Sequence, residues 1–174
     1  MKRDYLGDSY DAVKRLWRQL LADWAPLYAE PRFLLKDLHE DFTRLTGIPV
    51  LSDQRPHKYS ILNDPDTGIR LPGEENQAEG RTHITVAAIV EQLRTQGPRC
   101  VVTFDQSDYR NSDLKRDEQR RAKLQALREG GCPAFYYGSH APFLFAFPTI
   151  EALQQLEGRL IQAGIPADRL EKEQ

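Results

Sequence analysis

Apolar residues recur at helical spacing through Val13, Leu16, Trp17, Leu20, Leu21 and Trp24, a stripe that predicts an amphipathic helix with Ser9 as its N-cap and Pro26 as its stop. Leu34, Leu35, Leu38, Phe42 and Leu45, with Gly47 behind them, predict a second helix. Between these two stripes, Leu27-Tyr28-Ala29 is fenced by Pro26 and Pro31 and reads as a short strand. Dense apolar runs at 59–63, 99–104, 134–137 and 143–147 predict further strands, and polar-apolar alternation at helical period fills 83–95 (capped by Thr82), 113–128 (ended by Gly130-Gly131) and 149–163. Residues 71–81 carry Pro, Gly, Glu and Asn with almost no apolar side chain, the pattern of a solvated loop. Strands alternating with helices predict an α/β fold: a single Rossmann-like three-layer domain over residues 1–174 with a mostly parallel sheet and no internal repeat.

Composition narrows the function classes. A chain of 174 residues has room for a real core, and 24 basic against 26 acidic residues argues against nucleic-acid binding along its whole length, so any basic surface must be local. Cys100 and Cys132 sit in apolar strand patterns, which suits neither a disulfide framework nor a metal cluster. No apolar run approaches the roughly 18 residues of a membrane span, and Met1-Lys2-Arg3-Asp4-Tyr5 has no signal-peptide core, so the expectation is a cytoplasmic protein with no membrane contact.

The candidate chemistry gathers where apolar runs end in acids. Asn63-Asp64-Pro65-Asp66-Thr67-Gly68 follows the strand pattern at 59–63, Asp105 follows Cys100-Val101-Val102-Thr103-Phe104, and Asp8 follows Tyr5-Leu6-Gly7. In open α/β sheets, ligands bind at the carboxyl ends of the strands. Asp8, Asp64, Asp66 and Asp105 together can supply oxygen ligands for Mg²⁺ or Mn²⁺, a site that supports phosphodiester hydrolysis. The same hexapeptide is also good turn chemistry: Pro fixes φ, Asp bonds to nearby backbone and Gly accepts φ > 0. Gln106 and Ser107 add polar groups beside Asp105. His140, in a tight link between two apolar strands, fits a general base or phosphate contact and equally a structural histidine. Gly7-Asp8-Ser9 is shared with Gly-Asp-Ser hydrolases, but those need Asp three residues before the late His, and Tyr137 stands there.

One local basic surface is expected. The helix at 113–128 carries Lys115, Arg116, Arg120, Arg121, Lys123 and Arg128 against Asp113, Asp117 and Glu118, and with Arg110 it can position a phosphate backbone. A solvated charged helix face is the other meaning of such a run.

Gly7-Asp8-Ser9-Tyr10-Asp11-Ala12-Val13-Lys14, followed by Leu16 and Leu20, resembles the opening segment of small Rossmann-like ribosomal-RNA adenine methyltransferases, and Leu62-Asn63-Asp64-Pro65 resembles the start of the Asp-Pro-Pro-aromatic motif of amino-group methyltransferases. The resemblance implies that Asp11 and Lys14 lie near S-adenosylmethionine and Asp64 near the acceptor amine. The chain departs from the pattern at Asp66 and Thr67, where the second Pro and the base-stacking aromatic would stand. It departs again at Ala29-Glu30-Pro31-Arg32-Phe33, which has no glycine for close cofactor approach. Three functions follow as expectations. The first is an intracellular enzyme on nucleic acid or nucleotides, a nuclease for example, with Asp64, Asp66, Asp105 and His140 as its catalytic centre and Mg²⁺ or Mn²⁺ as cofactor. The second is a diverged S-adenosylmethionine-dependent methyltransferase. The third is a non-catalytic Rossmann-like protein that meets a protein partner through its charged helix.

Overall fold

A computed structural model describes residues 6–73, 80–107 and 115–172. Arg110, Asp113 and part of the loop expected at 71–81 lie outside the described residues.

The first helix, α1 (Ser9–Leu21), is capped by Asp8, one residue before the expected Ser9: the Asp8 carboxylate accepts from the Tyr10 and Asp11 backbone N–H groups. Its buried face is Asp11, Lys14, Trp17 and Leu21, with Leu20 half-buried beside it, so the inward stripe mixes charge with apolar bulk. Strand β1 (Leu27–Ala29) follows, then two short 3₁₀ turns and α2 (His39–Thr46), which starts later than its apolar stripe and stops at Gly47 with φ 71°. Strand β2 (Ser60–Asn63) precedes a two-residue parallel pair, β3 (Gly68–Ile69) with β4 (His83–Ile84), that the pattern of the chain did not announce. Helix α3 (Val86–Glu91) is capped by Thr85 rather than Thr82, because residues 83 and 84 are spent on β4. Then come β5 (Cys100–Phe104), α4 (Arg116–Glu129), β6 (Ala134–Tyr137), β7 (Phe143–Ala146), α5 (Ile150–Gln162), whose N-cap is Thr149, and β8 (Leu170–Glu171).

Among the described residues, six strands form one mixed sheet in the order β1-β2-β5-β7-β6-β8. Pairing is parallel through β1, β2 and β5, and antiparallel from β5 through β7, β6 and β8. The expected parallel character therefore holds at the core and gives way beyond β5. The link between β6 and β7 is too short for a parallel crossover, which takes a dozen or more residues, so β7 must return as a hairpin and inserts itself between β5 and β6.

Helices cover both faces. Trp17 and Leu21 of α1, Phe42 of α2 and Leu153, Leu156 and Leu160 of α5 pack with Leu62, Val102 and Phe145 on one face. Ile89 and Leu93 of the α3 segment and Leu124 and Leu127 of α4 pack with Ile61, Val101 and Leu144 on the other. The alternation 61/62 and 101/102 between the two clusters is the period-two pleat of strands buried on both sides. No helix among the described residues is long and apolar enough to cross a membrane.

Candidate functional site

Asn63 pairs in register with Thr103, which sets Asp64 beside Phe104 and Asp105 one residue further along the same edge. Both acids thus end parallel strands at one edge, as expected. The pleat then separates them. Asp64 turns toward α1, whereas Asp105 turns toward α4, and each meets a buried lysine.

On the α1 face, Lys14 Nζ donates to Asp64 Oδ2 at 2.7 Å and to Asp11 Oδ1 at 2.9 Å, with all three side chains 3–5% exposed. Asp11 Oδ2 also accepts the Gly7 backbone N–H at 2.7 Å, so the Gly7-to-Lys14 segment folds its own glycine and acid around the lysine. Two rings flank the ammonium: the Phe42 centroid at 5.9 Å and the Phe104 centroid at 5.7 Å. Burial by itself pushes the Lys14 ammonium down, but Asp64 and Asp11 outweigh it and hold it above the usual lysine value.

On the α4 face, Asp105 is fully buried and saturated. Its Oδ1 accepts the Ile69 N–H at 2.9 Å, the Ser107 N–H at 3.2 Å and the Ser107 hydroxyl, while Oδ2 accepts Lys123 Nζ at 2.7 Å and the Tyr136 hydroxyl at 2.8 Å. Burial pushes this carboxyl up, yet Lys123 and the converging donors overcome that and hold it below the usual carboxylate range. Gly68 lies flat on this cluster with φ +121°; a side chain there would strike the Asp105 carboxylate and stand 2.8 Å from the Gln106 nitrogen. Between the two clusters, Asn63 and Gln92 exchange amide hydrogen bonds of 2.8 and 3.0 Å, and Asn63 also donates to Thr103.

The other candidates disperse. Asp8 is a helix cap. Asp66 is half-buried in a turn whose backbone, through Asp66 and Thr67 N–H groups bonded to the Arg81 and Thr82 carbonyls, leads into the β3–β4 pair; this is the turn role the hexapeptide also suits. His140 is exposed in the β6–β7 link. Among the described residues no group of three or more His, Cys, Asp or Glu side chains comes together to hold a metal ion.

The basic helix does not present a continuous cationic face. Arg116 donates to the Ser139 carbonyl at 2.7 Å, Arg120 grips Glu171 and Lys123 is sealed against Asp105. Lys115, Arg121 and Arg128 stay exposed. Three of the cations expected on a nucleic-acid surface or beside it thus serve internal bonds, because a cation on the inward face must find an acceptor there.

Sequence reasoning placed Ser107 beside Asp105 but missed Lys123, Tyr136 and Gln92 as partners of the strand-end residues, and Phe42 and Phe104 as walls around Lys14. One signal was present: Lys123 stands in the same helical stripe as Leu124 and Leu127, the positions that face the sheet. No protein-family model matches the chain, and neither does any curated protein or any solved structure.

Proposed function

We propose that this chain is a diverged S-adenosylmethionine-dependent methyltransferase acting on an amine-bearing acceptor, with Asp11, Lys14 and Asp64 as its site. One observation carries the reading. The resemblance selects these three residues from two separate segments, and Lys14 lies within 2.9 Å of both acids although Asp64 is 50 positions away.

The donor set fits the methyl donor's charge. Two carboxylates and one ammonium sum to one negative charge, and the Phe42 and Phe104 rings, which flank the Lys14 ammonium in a cluster only 3–5% exposed, are the kind of surface a sulfonium or ammonium cation prefers. Bound beside this filled cluster, S-adenosylmethionine would supply an electrophilic methyl group. Asp64 would orient the acceptor amine, Lys14 would hold Asp64 in place, and Asp11 would fix Lys14. The exit of β1 departs from the family: Glu30 caps the Arg32 N–H and Pro31 has no N–H to offer. The Rossmann-like assignment rests on the parallel run β1-β2-β5 with helices on both faces.

The metal-dependent reading has less support, since Asp64 and Asp105 face opposite layers and a lysine ammonium already sits against each. The non-catalytic reading is favoured by one observation, the internal pairing of the polar groups at both strand ends. Isothermal titration with S-adenosylmethionine and its demethylated product separates the three. Binding of either, lost in Asp64→Asn and Lys14→Met, supports the methyltransferase. Binding of neither donor nor product, with no response to Mn²⁺, leaves the partner protein.

A further inference from the structure

Arg120 and Glu171 meet in a way that a simple surface ion pair does not. The Arg120 side chain is 4% exposed and the Glu171 side chain 41%, so the guanidinium belongs to the wall and the carboxylate arrives from outside. Both carboxylate oxygens are bound by Nη1, at 2.8 and 2.6 Å. The guanidinium has its own support: it stacks over the Tyr136 ring at 5.3 Å, and the Tyr136 hydroxyl is anchored on Asp105. It would therefore keep its place with Glu171 gone.

The acid's perch is slight by comparison. β8 joins the sheet through two residue pairs, Tyr136 with Glu171 and Tyr137 with Leu170. Room for the carboxylate exists because residue 138 is glycine: a Cβ there would overlap a Glu171 carboxylate oxygen and stand 2.8 Å from its Cδ. Around the pair runs an open groove of about 830 Å³ between α4 and β8, whose walls include the exposed cation Arg121 together with Lys172, Leu124 and Leu170.

We propose that Arg120 is the centre of an anion-binding site for a phosphate group, closed in this conformation by the chain's own Glu171 acting as an internal stand-in. A guanidinium binds a carboxylate and a phosphate through the same donor geometry. Arg121 and Lys172, the latter paired with Glu157 at 2.7 Å, stand against Asp117 in the groove, so the lining is net positive once Glu171 leaves, which suits a phosphate better than a second carboxylate. A phosphate ligand competes with Glu171 for Arg120, so its apparent affinity is lowered by the fraction of time the acid occupies the site. This site is separate from the Asp11–Lys14–Asp64 cluster and does not depend on the methyltransferase reading.

Two variants open the site without touching a cation. Glu171→Gln removes the competing charge, and Gly138→Ala pushes the Glu171 side chain aside at a position whose backbone tolerates alanine. Thermal shift and isothermal titration with inorganic phosphate are expected to show binding about tenfold or more tighter in each variant than in the wild type. Adding Arg120→Lys to Glu171→Gln, which keeps the charge and loses the planar donors, is expected to abolish the gain. A single-stranded 12-mer oligonucleotide, titrated in parallel, assigns the phosphate: tighter binding than free phosphate places the site on a nucleic-acid backbone, and binding of free phosphate alone places it on a small phosphorylated ligand. Equal phosphate binding in wild type and both opened variants, no binding in any of them, or a gain that survives Arg120→Lys would each overturn the proposal. Circular dichroism of every variant confirms that the fold is retained.

Discussion

Lys14 Nζ stands 2.7 Å from Asp64 Oδ2 across 50 positions of chain, and the contact joins α1 to the end of β2 inside the core. Removing one member of a buried ionic cluster leaves an uncompensated charge, which costs more than the cluster contributes over apolar packing. Lys14→Met is therefore expected to destabilise the protein by about 3–5 kcal/mol in urea unfolding. A triple change of Asp11, Lys14 and Asp64 to apolar residues of similar size should cost less than that single one. A single-variant loss under about 1 kcal/mol would show the cluster to be solvated.

The two buried clusters set opposite pH limits. Asp105 has a folded value below its ordinary 3.8, so its contribution is present above that value and drains away as pH falls through the folded one. Lys14 has a folded value above its ordinary 10.5, so its contribution is complete below 10.5 and is lost only as pH rises past the folded value. Stability should accordingly be flat across neutral pH as far as these groups are concerned and decline at both extremes. A carbon-13 titration of the Asp105 carboxyl checks the acid side, and a midpoint above 3.8 would contradict the assignment.

Gly68→Ala tests the seat of Asp105. The new methyl group meets the carboxylate and the Gln106 backbone at a φ of +121°, so strain and overpacking add to a cost of about 2–4 kcal/mol. Gly73, with φ +90° and nothing within 4 Å of a built Cβ, is the control: alanine there should cost only the backbone term, about 1 kcal/mol. Equal losses at both positions would mean that the contact with Asp105 carries no weight.

Along α1 the inward stripe can be read by truncation. Leu21 is fully buried, and Leu21→Ala should cost about 2–5 kcal/mol, whereas half-buried Leu20 should cost clearly less. Chemical denaturation of both variants settles the order, and the reverse order would place the helix face wrongly.

Mn²⁺ up to millimolar concentration is expected to leave the melting temperature unchanged in both wild type and Asp66→Asn, because lysine ammonium groups already neutralise Asp64 and Asp105. A saturable rise in the wild type that Asp66→Asn removes would restore the metal-dependent reading.

Much of this architecture was legible. The apolar runs located the strands at 60–63, 100–104, 134–137 and 143–146 to within a residue or so, and the acids at two strand ends did share an edge. Strand direction beyond β5 and the two-residue pairings β3–β4 and β8 were not, since a two-residue strand carries no periodicity to read. The candidate site was half legible for a related reason. Period two fixes that neighbours point apart, but which helix waits on each face depends on contacts such as Asp105 with Lys123, 18 positions away. The charged run on α4 proves only partly outward, because Arg116, Arg120 and Lys123 bond within the protein, and their spacing alone does not distinguish a cation seeking water from one seeking an internal acceptor.

Asn63 and Asp64 work as a two-sided connector: the amide of the first locks α3's end through Gln92 while the acid of the second locks α1 through Lys14. Because the side-chain period of a strand is two, one residue inserted into β2 would hand the amide to the lysine and the carboxylate to the glutamine. Lys14 would keep Asp11 but lose Asp64, and the displaced acid would be pressed against the second face. A frame slip that leaves every hydrophobic residue in the chain unchanged would thus be penalised by the polar pair at its end, which favours the observed register of β2.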